Sequence, residues 1–548
     1  MGRTFVIKKE PSKTRFYIIL FFAIFALIFV RYCYFGLKYY CQLDDYIQYH
    51  NYETSGKSLP FLVKTLGLMS SRPLAGLCDI LIWSHFYQFM IAVVGIISAM
   101  YAASAVFFHR VFSRHFGTGY IFFIFYALLP TGFEGTYWVS ASSRIVVGLF
   151  FASLSLLNFD EWCVEGKRWN LVLFSIFQFI SFCFYEQIVL LSGAATFIVM
   201  LGGMKKQYKR RSLWGLLMFA GAAGYILITK LFPSGTYGER SALFLPWKKD
   251  YFEMILVPVT EQLKQVFIYG SGAICGKGFV RGFRLIAQKP NYLYLVIVLA
   301  AASGLFLTVK KAGRFQSRFF AQLISGIFLA IIPTVIFFII KTPWFGFRNA
   351  VTSYCGIALV IDALFGLIFG RFKKGYVAEA ALISVLAVLC CVSSVSELHD
   401  YRETTAADTK IAVAAAEAVG KSAPAGSREN IWLLNVDASY VSDGNYYFHE
   451  HDYGVTSSSW AISGAIAAIA GGSAFPEIQK FTPISSKTPF ASEKSAIGKS
   501  PAYWYTGDSF VPVTIVASNE KTWKILNGSG AALGTLQYAG GVVTLGLK

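Results

Sequence analysis

The chain has 548 residues, of which 55% are hydrophobic and only 14% are charged. Soluble globular domains carry about a quarter charged residues, so this composition excludes a disordered chain, a collagen-like fibre and a disulfide scaffold, and argues against a soluble enzyme. The 49 Lys and Arg residues exceed the 30 Asp and Glu residues, which gives a net charge of +19. In a soluble protein that excess indicates nucleic-acid binding, whereas in a membrane protein it records which loops face the cytoplasm.

Apolar stretches recur along the first 395 residues and then stop. Their lengths are typical of helices that cross a bilayer, although several are short. The first stretch follows basic residues but has no small-residue cleavage site, which favours an uncleaved membrane anchor over a signal peptide. We therefore predict eleven transmembrane helices, at Phe16–Leu37, Phe89–Phe108, Thr118–Gly132, Ser143–Phe159, Trp169–Phe184, Gln187–Leu201, Leu213–Leu231, Tyr292–Val309, Phe319–Ile340, Ala350–Phe369 and Val377–Val395.

The positions of the basic residues predict the orientation of these helices. If the N-terminus lies inside, the cytoplasmic segments together hold 21 Lys and Arg residues against four acidic residues. This bias agrees with the positive-inside rule at every cytoplasmic connection and places the C-terminus outside. The same segments account for 17 of the 19 net positive charges. The excess therefore reports orientation, and we expect a lipid bilayer and no nucleic acid as the partner.

Two domains follow from this pattern, a polytopic membrane domain at 1–395 and an extracytoplasmic domain at 396–548. The membrane domain is predicted to be all-α and to carry two large outer loops, the first at 38–88 and the fourth at 232–291. Within the fourth loop, Tyr251–Tyr269 is amphipathic and too polar to span. We therefore expect that stretch to lie at the membrane interface.

The C-terminal domain combines helical and strand patterns. An Ala-rich helical pattern at Ala406–Val419 precedes an apolar strand at Ile431–Val436, and two later strand patterns flank Asn527-Gly528, which is a strong hairpin signal. These patterns predict an α/β or α+β fold. None of the nine cysteines lies in this domain. An exported domain without disulfides is compatible with a bacterial cell envelope, and we expect the protein in the inner, cytoplasmic membrane.

Acidic residues are few outside the membrane before the C-terminal domain, which gives weight to the pair Asp44-Asp45, a few residues after the first helix. Neighbouring carboxylates repel each other, so the pKa of one rises toward the range that suits proton transfer. Asp is also a favoured N-cap, and a juxtamembrane helix that begins at Tyr46 would use it. The residues alone leave both roles open.

Basic residues on the same face are candidates for binding a phosphate. Arg72 lies at the end of the first loop, Arg144 just after the second, and Lys341 and Arg348 bound the fifth. Arg binds phosphate oxygens in a bidentate manner, and an anion at the membrane interface needs such a partner. The alternative for each is snorkelling, in which a Lys or Arg at a helix end reaches the lipid headgroups.

Two carboxylates lie where membrane proteins rarely place them. Glu186 sits between two apolar segments with almost no loop to expose it, so it needs a partner and is a candidate for substrate binding. The alternative for Glu186 is a solvated turn at the outer surface. Glu134 is a similar candidate, because it lies between short helices in a loop that we expect to dip into the interface. No residue is predicted to be a metal ligand.

The predicted topology, the acidic pair after helix one, the large first outer loop and the exported C-terminal domain together resemble the GT-C class of integral-membrane glycosyltransferases. The arrangement is similar to bacterial polyprenyl-phosphate-sugar enzymes of the GtrII-like and mannosyltransferase-like groups. The resemblance covers approximately residues 1–395, and its motif is Asp44-Asp45.

The resemblance implies sugar transfer at the outer face, from a polyprenyl-phosphate-linked donor to a glycan or lipid acceptor. Asp44 would be the general base that deprotonates the acceptor hydroxyl, and Asp45 would orient Asp44 or bind the acceptor. Arg72, Lys341 or Arg348 would stabilise the phosphate that leaves. A divalent metal, Mg²⁺ or Mn²⁺, assists some members of the class, and two adjacent Asp residues do not decide whether one is used here.

Two other functions stay open. A transporter or flippase of lipid-linked saccharides would place ionisable residues within helices, and Lys230 and Asp362 are such residues. A polysaccharide polymerase or ligase would rely on basic residues in a late outer loop, for which Arg240, Lys277, Arg281 and Arg284 are available. The acidic pair in the first loop favours the glycosyltransferase.

Overall fold

The chain is a multi-pass helical membrane protein with a C-terminal β-sheet domain. A computed structural model describes residues 13–46, 70–204, 208–232, 242–312, 318–372, 374–422, 430–437, 454–470, 481–487 and 489–548. Part of the first predicted outer loop, at 47–69, and part of the fourth, at 233–241, lie outside the described residues.

The helices of the membrane domain are numbered in chain order. They are α1 Lys13–Val30, α2 Pro73–Leu81, α3 Met90–Phe116, α4 Ile121–Thr136, α5 Val139–Glu165, α6 Arg168–Phe182, α7 Glu186–Met204, α8 Lys209–Leu231, α9 Val257–Lys264, α10 Gly278–Gln288, α11 Tyr292–Ala312, α12 Phe319–Phe338, α13 Phe347–Phe369 and α14 Gly375–Ser422.

Eight of the described helices are long and apolar enough to span a bilayer, namely α3, α5, α7, α8, α11, α12, α13 and α14. The other three predicted spans, at α1, α4 and α6, are shorter apolar helices. Within α4, Pro130 forces Leu129 out of helical geometry, to a ψ of 127°, and so interrupts the apolar helix. In α1 the described helix ends at Val30 and turns follow, whereas the apolar pattern predicted a span to Leu37.

One helix connects the two domains. α14 has 48 residues, whereas the hydropathy pattern placed the end of the last span at Val395. The chain between that position and Gly420 contains no Gly or Pro and is rich in Ala, so nothing in the sequence interrupts the helix. The predicted span and the predicted Ala-rich helix are therefore one continuous element.

The C-terminal domain is built on an eight-stranded mixed sheet. Its order is β2-β1-β4-β5-β6-β7-β8-β3, and β1 is parallel to both β2 and β4 while the other pairs are antiparallel. The strands are β1 Ile431–Leu434, β2 Phe481–Ile484, β3 Phe490–Ala491, β4 Ala502–Tyr505, β5 Phe510–Asn519, β6 Thr522–Leu526, β7 Ala532–Ala539 and β8 Val542–Leu547. The end of α14 and the helix α15, Ser459–Ala470, pack on the sheet.

The predicted hairpin is present as β6 and β7, but its turn is longer than the two-residue turn that Asn-Gly favours. The Asn527 N–H donates to the Ala531 carbonyl oxygen at 2.9 Å. The Asn527 side-chain oxygen accepts from the N–H groups of Ser529 at 3.1 Å and Ala531 at 2.8 Å. The side chain of Asn527 thus organises a five-residue loop of its own.

The predicted interfacial stretch Tyr251–Tyr269 is largely helical, and helical turns continue from 252 to 288. The last of these helical segments, α10, follows the predicted stretch and packs closely on α14. A Cβ atom on Gly282 would lie 2.1 Å from the Val392 carbonyl oxygen. Arg281 donates two hydrogen bonds to the buried Asp400 carboxylate, at 2.6 and 2.7 Å. The two helices are therefore fixed to each other by a backbone contact and a bidentate ion pair.

Gly282→Ala tests this contact. We expect the free energy of unfolding to fall by about 1–3 kcal/mol, because two backbones must separate to admit the methyl group. The measurement is the thermal unfolding midpoint of the purified protein in detergent. Gly276→Ala is the matched control, since a methyl group on Gly276 would meet no atom within 4 Å. Equal midpoints for the two variants would contradict the close approach.

Candidate functional site

The acidic pair lies against the first turn of α5. The Asp45 side chain is fully buried. Its carboxylate accepts hydrogen bonds from the Tyr39 hydroxyl at 2.5 Å, the Gln42 N–H at 2.9 Å and the Ser140 N–H at 3.1 Å. The Tyr39 hydroxyl in turn accepts from the Val139 N–H at 2.9 Å. Two of the N–H groups that a helix leaves unsatisfied at its start are thereby satisfied from another segment of the chain.

Asp45 therefore caps α5. The helix beginning at Tyr46, for which the sequence made an Asp a candidate N-cap, would extend into residues 47–69, which lie outside the described residues. Burial raises the pKa of Asp45 to about 7, while the hydrogen bonds from Tyr39, Gln42 and Ser140 lower it. Asp44 next to it is only half-buried. The two carboxylates thus have different environments.

Arg72 and Glu186 form an ion pair between the start of α2 and the start of α7. The Arg72 Nε atom lies 3.0 Å from each carboxylate oxygen of Glu186. The guanidinium group also stacks over the Tyr185 ring, at 4.4 Å from its centroid. Glu186 has the charged partner that its position between two apolar segments requires.

Two further arginines also face carboxylates. Arg144 contacts Asp79 of α2 at 2.9 Å, and Asp79 is fully buried. The backbone N–H of Arg348 donates to one carboxylate oxygen of Glu134 at 3.0 Å. The side-chain Nε atom of Arg348 lies 3.7 Å from the other carboxylate oxygen. Glu134 is almost completely buried. Each of these arginines therefore has its charge balanced within the protein.

Aromatic rings surround Arg348. Its guanidinium carbon lies 4.5 Å from the Trp344 ring centroid and 5.4 Å from that of Trp138. Asn349, the next residue, donates to the Tyr185 hydroxyl at 2.7 Å. Lys341, by contrast, is exposed, and its backbone N–H donates to the carbonyl oxygen of Ala242 at 2.8 Å.

These contacts connect seven of the eight predicted site residues at one end of the membrane domain, where α1 ends and the sheet domain begins. Tyr185 links the Arg72 pair to Asn349, Arg348 reaches Trp138, and Trp138 precedes the turn that holds Asp45. The connected set, which we term the polar cluster, comprises Asp44, Asp45, Arg72, Asp79, Glu134, Trp138, Arg144, Tyr185, Glu186, Trp344, Arg348 and Asn349. Lys341 lies outside these contacts.

Asp79, Tyr185 and Asn349 were not predicted from the sequence, and neither were four buried donors, three at the start of α5 and one, the Trp83 indole, just after α2. The Nε1 atoms of Trp83 and Trp138 and the hydroxyl groups of Ser140 and Ser142 are buried without a hydrogen-bond partner. Buried polar groups are nearly always paired, so these donors indicate contact with a polar ligand or with water. The run Trp138–Arg144, which contains three serines, is the sequence signal for the donors at the start of α5.

The described residues do not provide a metal site at the acidic pair. No group of three or more His, Cys, Asp or Glu residues within the described ranges is placed to hold a metal ion. The Asp45 oxygens already accept three hydrogen bonds. The divalent ion that the resemblance leaves open therefore has no fitting ligand set among these residues.

No protein-family model matches the chain, and no curated protein matches it significantly.

Asp79→Asn tests the buried ion pair. We expect it to lower the free energy of unfolding by about 3 kcal/mol, because it leaves the Arg144 charge without its carboxylate in a desolvated position. Thermal or denaturant unfolding in detergent measures the loss. The control is Glu161→Gln, which breaks the more exposed Arg110–Glu161 pair at 2.7 Å and should change stability by less than about 1 kcal/mol. Equal losses of stability in the two variants would contradict a buried ion pair between Asp79 and Arg144.

The raised pKa of Asp45 predicts a dependence of stability on pH. The folded protein holds the Asp45 proton more tightly than the unfolded chain, so this residue favours folding at low pH, and that contribution falls as pH rises from about 4 to the folded pKa of about 7. The measurement is the unfolding midpoint of the wild type and of Asp45→Asn across this range. As pH rises across this range, the unfolding midpoint of the wild type should fall relative to that of Asp45→Asn. A difference that stays constant with pH would contradict the shift.

Proposed function

We propose that the protein is a membrane glycosyltransferase that moves a sugar from a polyprenyl-phosphate donor to a glycan or lipid acceptor of the cell envelope. The observation that carries this proposal is the polar cluster. It combines a half-buried carboxylate, three arginine–carboxylate pairs and unpaired buried donors at one end of an apolar helical domain. We place that end on the extracytoplasmic face, on the basis of the charge bias of the loops.

The chemistry of the cluster suits a sugar. A sugar offers many hydroxyl groups and an apolar ring face, so its site needs donors, acceptors and a flat apolar surface together. The unpaired Trp138 Nε1 atom and the Ser140 and Ser142 hydroxyls supply hydrogen-bonding groups. Trp344 is 43% exposed and supplies aromatic surface next to Arg348.

In this proposal Asp44 is the general base. Its carboxylate removes the proton from the acceptor hydroxyl as that oxygen attacks the anomeric carbon of the donor. The bond between the anomeric carbon and the phosphate oxygen breaks, and the electron pair leaves with the polyprenyl phosphate. Asp45 is a positioning residue, because its hydrogen bonds to Tyr39 and Ser140 hold the segment that carries Asp44 against α5.

The leaving phosphate needs positive charge near it. Arg72 and Arg348 lie in the cluster, but each already faces a carboxylate, which weakens its attraction for a second anion. Lys341 is exposed and stands apart from the cluster. These basic residues can orient a phosphate, but none combines an unbalanced charge with a desolvated position.

A transporter or flippase of lipid-linked saccharides is the second candidate, and one observation favours it. Asp362 of α13 is buried within the membrane domain and accepts hydrogen bonds from the Gly119 N–H at 2.7 Å and the Gln322 side chain at 2.8 Å. Ionisable residues within spans are common in transport pathways. Arg281, which the polymerase hypothesis would use, is committed to Asp400.

Asp44→Asn is the decisive variant. We expect it to abolish sugar transfer in proteoliposomes that contain a polyprenyl-phosphate sugar and an acceptor, since the amide cannot take the hydroxyl proton. The matched control is Asp508→Asn, which removes an exposed carboxylate of the sheet domain that pairs with Lys410. Gel filtration and the unfolding midpoint establish that both variants are folded.

Full sugar transfer by a folded Asp44→Asn variant would show that Asp44 is not the general base. If transfer chemistry persisted but movement of the lipid-linked sugar across the bilayer were lost, the flippase would be the better assignment.

A further inference from the structure

One arginine of the membrane domain differs from those of the polar cluster. Arg31 follows α1 directly, and its side chain is fully buried. Its Nη2 atom donates to the Tyr32 hydroxyl at 2.5 Å and to the Thr136 hydroxyl at 3.2 Å. Its Nε and Nη1 atoms have no hydrogen-bond partner. Because a guanidinium group carries five N–H donors, three of them lack an acceptor.

The charge of Arg31 is also not balanced nearby. Among the described residues, no carboxylate lies within ion-pair distance of it. The groups that its charge influences are the hydroxyls of tyrosines and the thiols of cysteines, all of them neutral, namely Tyr32, Tyr101, Tyr294, Tyr354, Cys390 and Cys391. The Tyr32 ring lies 4.7 Å from the guanidinium carbon and offers a cation–π contact. The C-terminal end of α1 adds a partial negative charge, worth only about 1 kcal/mol.

Such an arrangement is costly. A buried charge without a partner destabilises a folded protein by several kcal/mol, and side chains of this kind are normally paired or absent. A neutral residue would be more stable at this position. The arrangement is explained if the partner of Arg31 is an anion that arrives with a ligand.

The depth of Arg31 indicates what that anion is. α1 begins at Lys13 and has 18 residues. A helix of that length is about 27 Å long, close to the thickness of a hydrocarbon core. We therefore infer that Arg31, at its far end, lies at the level of the lipid phosphates. Its partner Thr136 ends α4, the helix that carries Glu134 of the polar cluster. The residue is therefore next to the proposed sugar site, on its membrane side.

We propose that Arg31 is the cation that binds the phosphate group of a polyprenyl-phosphate ligand, through the Nε and Nη1 donors that have no partner in the protein. The choice of a lipid-linked phosphate rests on the proposed function, whereas the need for an anion rests on Arg31 alone. Because no part of the side chain is exposed, binding requires a local opening of the packing around it.

The test compares binding by the wild type, Arg31→Gln and Arg110→Gln, using the full-length protein in detergent. The probes are a polyprenyl phosphate without sugar, the corresponding polyprenol without phosphate, and inorganic phosphate. Binding is measured as the rise in unfolding midpoint with ligand concentration. Arg110→Gln is the matched control, since Arg110 pairs with Glu161 at the opposite end of the domain.

We expect polyprenyl phosphate to stabilise the wild type and the control, and to bind Arg31→Gln at least about tenfold more weakly. Without ligand, Arg31→Gln should unfold at a higher temperature than the wild type, because it no longer buries an unbalanced charge. Stabilisation by polyprenyl phosphate alone identifies the lipid-linked source, whereas an equal effect of inorganic phosphate identifies a site for free phosphate.

Three results would overturn the proposal: unchanged binding by Arg31→Gln, equal binding of the polyprenol, or a lower midpoint of unliganded Arg31→Gln. If Arg31→Gln does not fold, Arg31→Lys replaces it. That variant keeps the charge but loses the guanidinium fork, so its binding should weaken measurably, and unchanged binding would again contradict the assignment.

The outcome is independent of the catalytic test. The binding assay contains no sugar and no acceptor, so Asp44→Asn should bind polyprenyl phosphate like the wild type. If Asp44→Asn loses sugar transfer while Arg31→Gln binds polyprenyl phosphate like the wild type, the Arg31 site is refuted and the glycosyltransferase proposal is still supported.

Discussion

The interaction on which the site depends is the attachment of Asp45 to the first turn of α5. The buried carboxylate and the Tyr39 hydroxyl together satisfy the N–H groups of Val139 and Ser140. This contact fixes the segment after α1 on the helix that also carries Trp138 and Arg144. Without it, the acidic pair would belong to a loop, and α5 would begin with unsatisfied N–H groups in a desolvated environment. Asp44 derives its position from this cap, so the two members of the acidic pair have separate tasks.

The same segment is held from the other side by the long helix α14. The Gln42 side chain donates to the Thr405 hydroxyl at 3.0 Å, and that hydroxyl donates to the Cys41 carbonyl oxygen at 3.1 Å. Tyr46 is buried in the core that α14 shares with α15 and the sheet. The acidic pair thus lies between the membrane domain and the sheet domain, and α14 connects both. The C-terminal domain contributes to the fold of the candidate site as well as standing beside it.

Hydropathy and charge predicted the helical membrane domain, and turn and strand patterns predicted the sheet domain, because these features depend on local composition. Three predicted spans correspond to shorter apolar helices, and a hydropathy window registers neither the break at Pro130 in α4 nor the turn after Val30 in α1. The sequence predicted that Glu186 needs a partner but did not indicate which residue it is. Arg72 is 114 positions away, and only tertiary packing brings the two together.

Two features could not be predicted because they depend on burial in three dimensions. Asp79 is one acidic residue in a short outer helix, and nothing local indicates that it meets Arg144. Arg31 lies inside the predicted first span, Phe16–Leu37, and no sequence pattern distinguished it. Its full burial without a carboxylate is a property of the helices around it. The balance of each charge, more than its presence, separates structural arginines from a candidate ligand-binding one.

The proposed sugar site is tested most directly by an experimental structure of the full chain with a bound polyprenyl-phosphate sugar, determined by cryo-electron microscopy in a lipid nanodisc. We expect density for the sugar within the polar cluster, with its anomeric carbon facing the Asp44 carboxylate across a space for the acceptor hydroxyl. Density for the sugar at the opposite end of the helices, or along a path through the membrane beside Asp362, would contradict the proposed site.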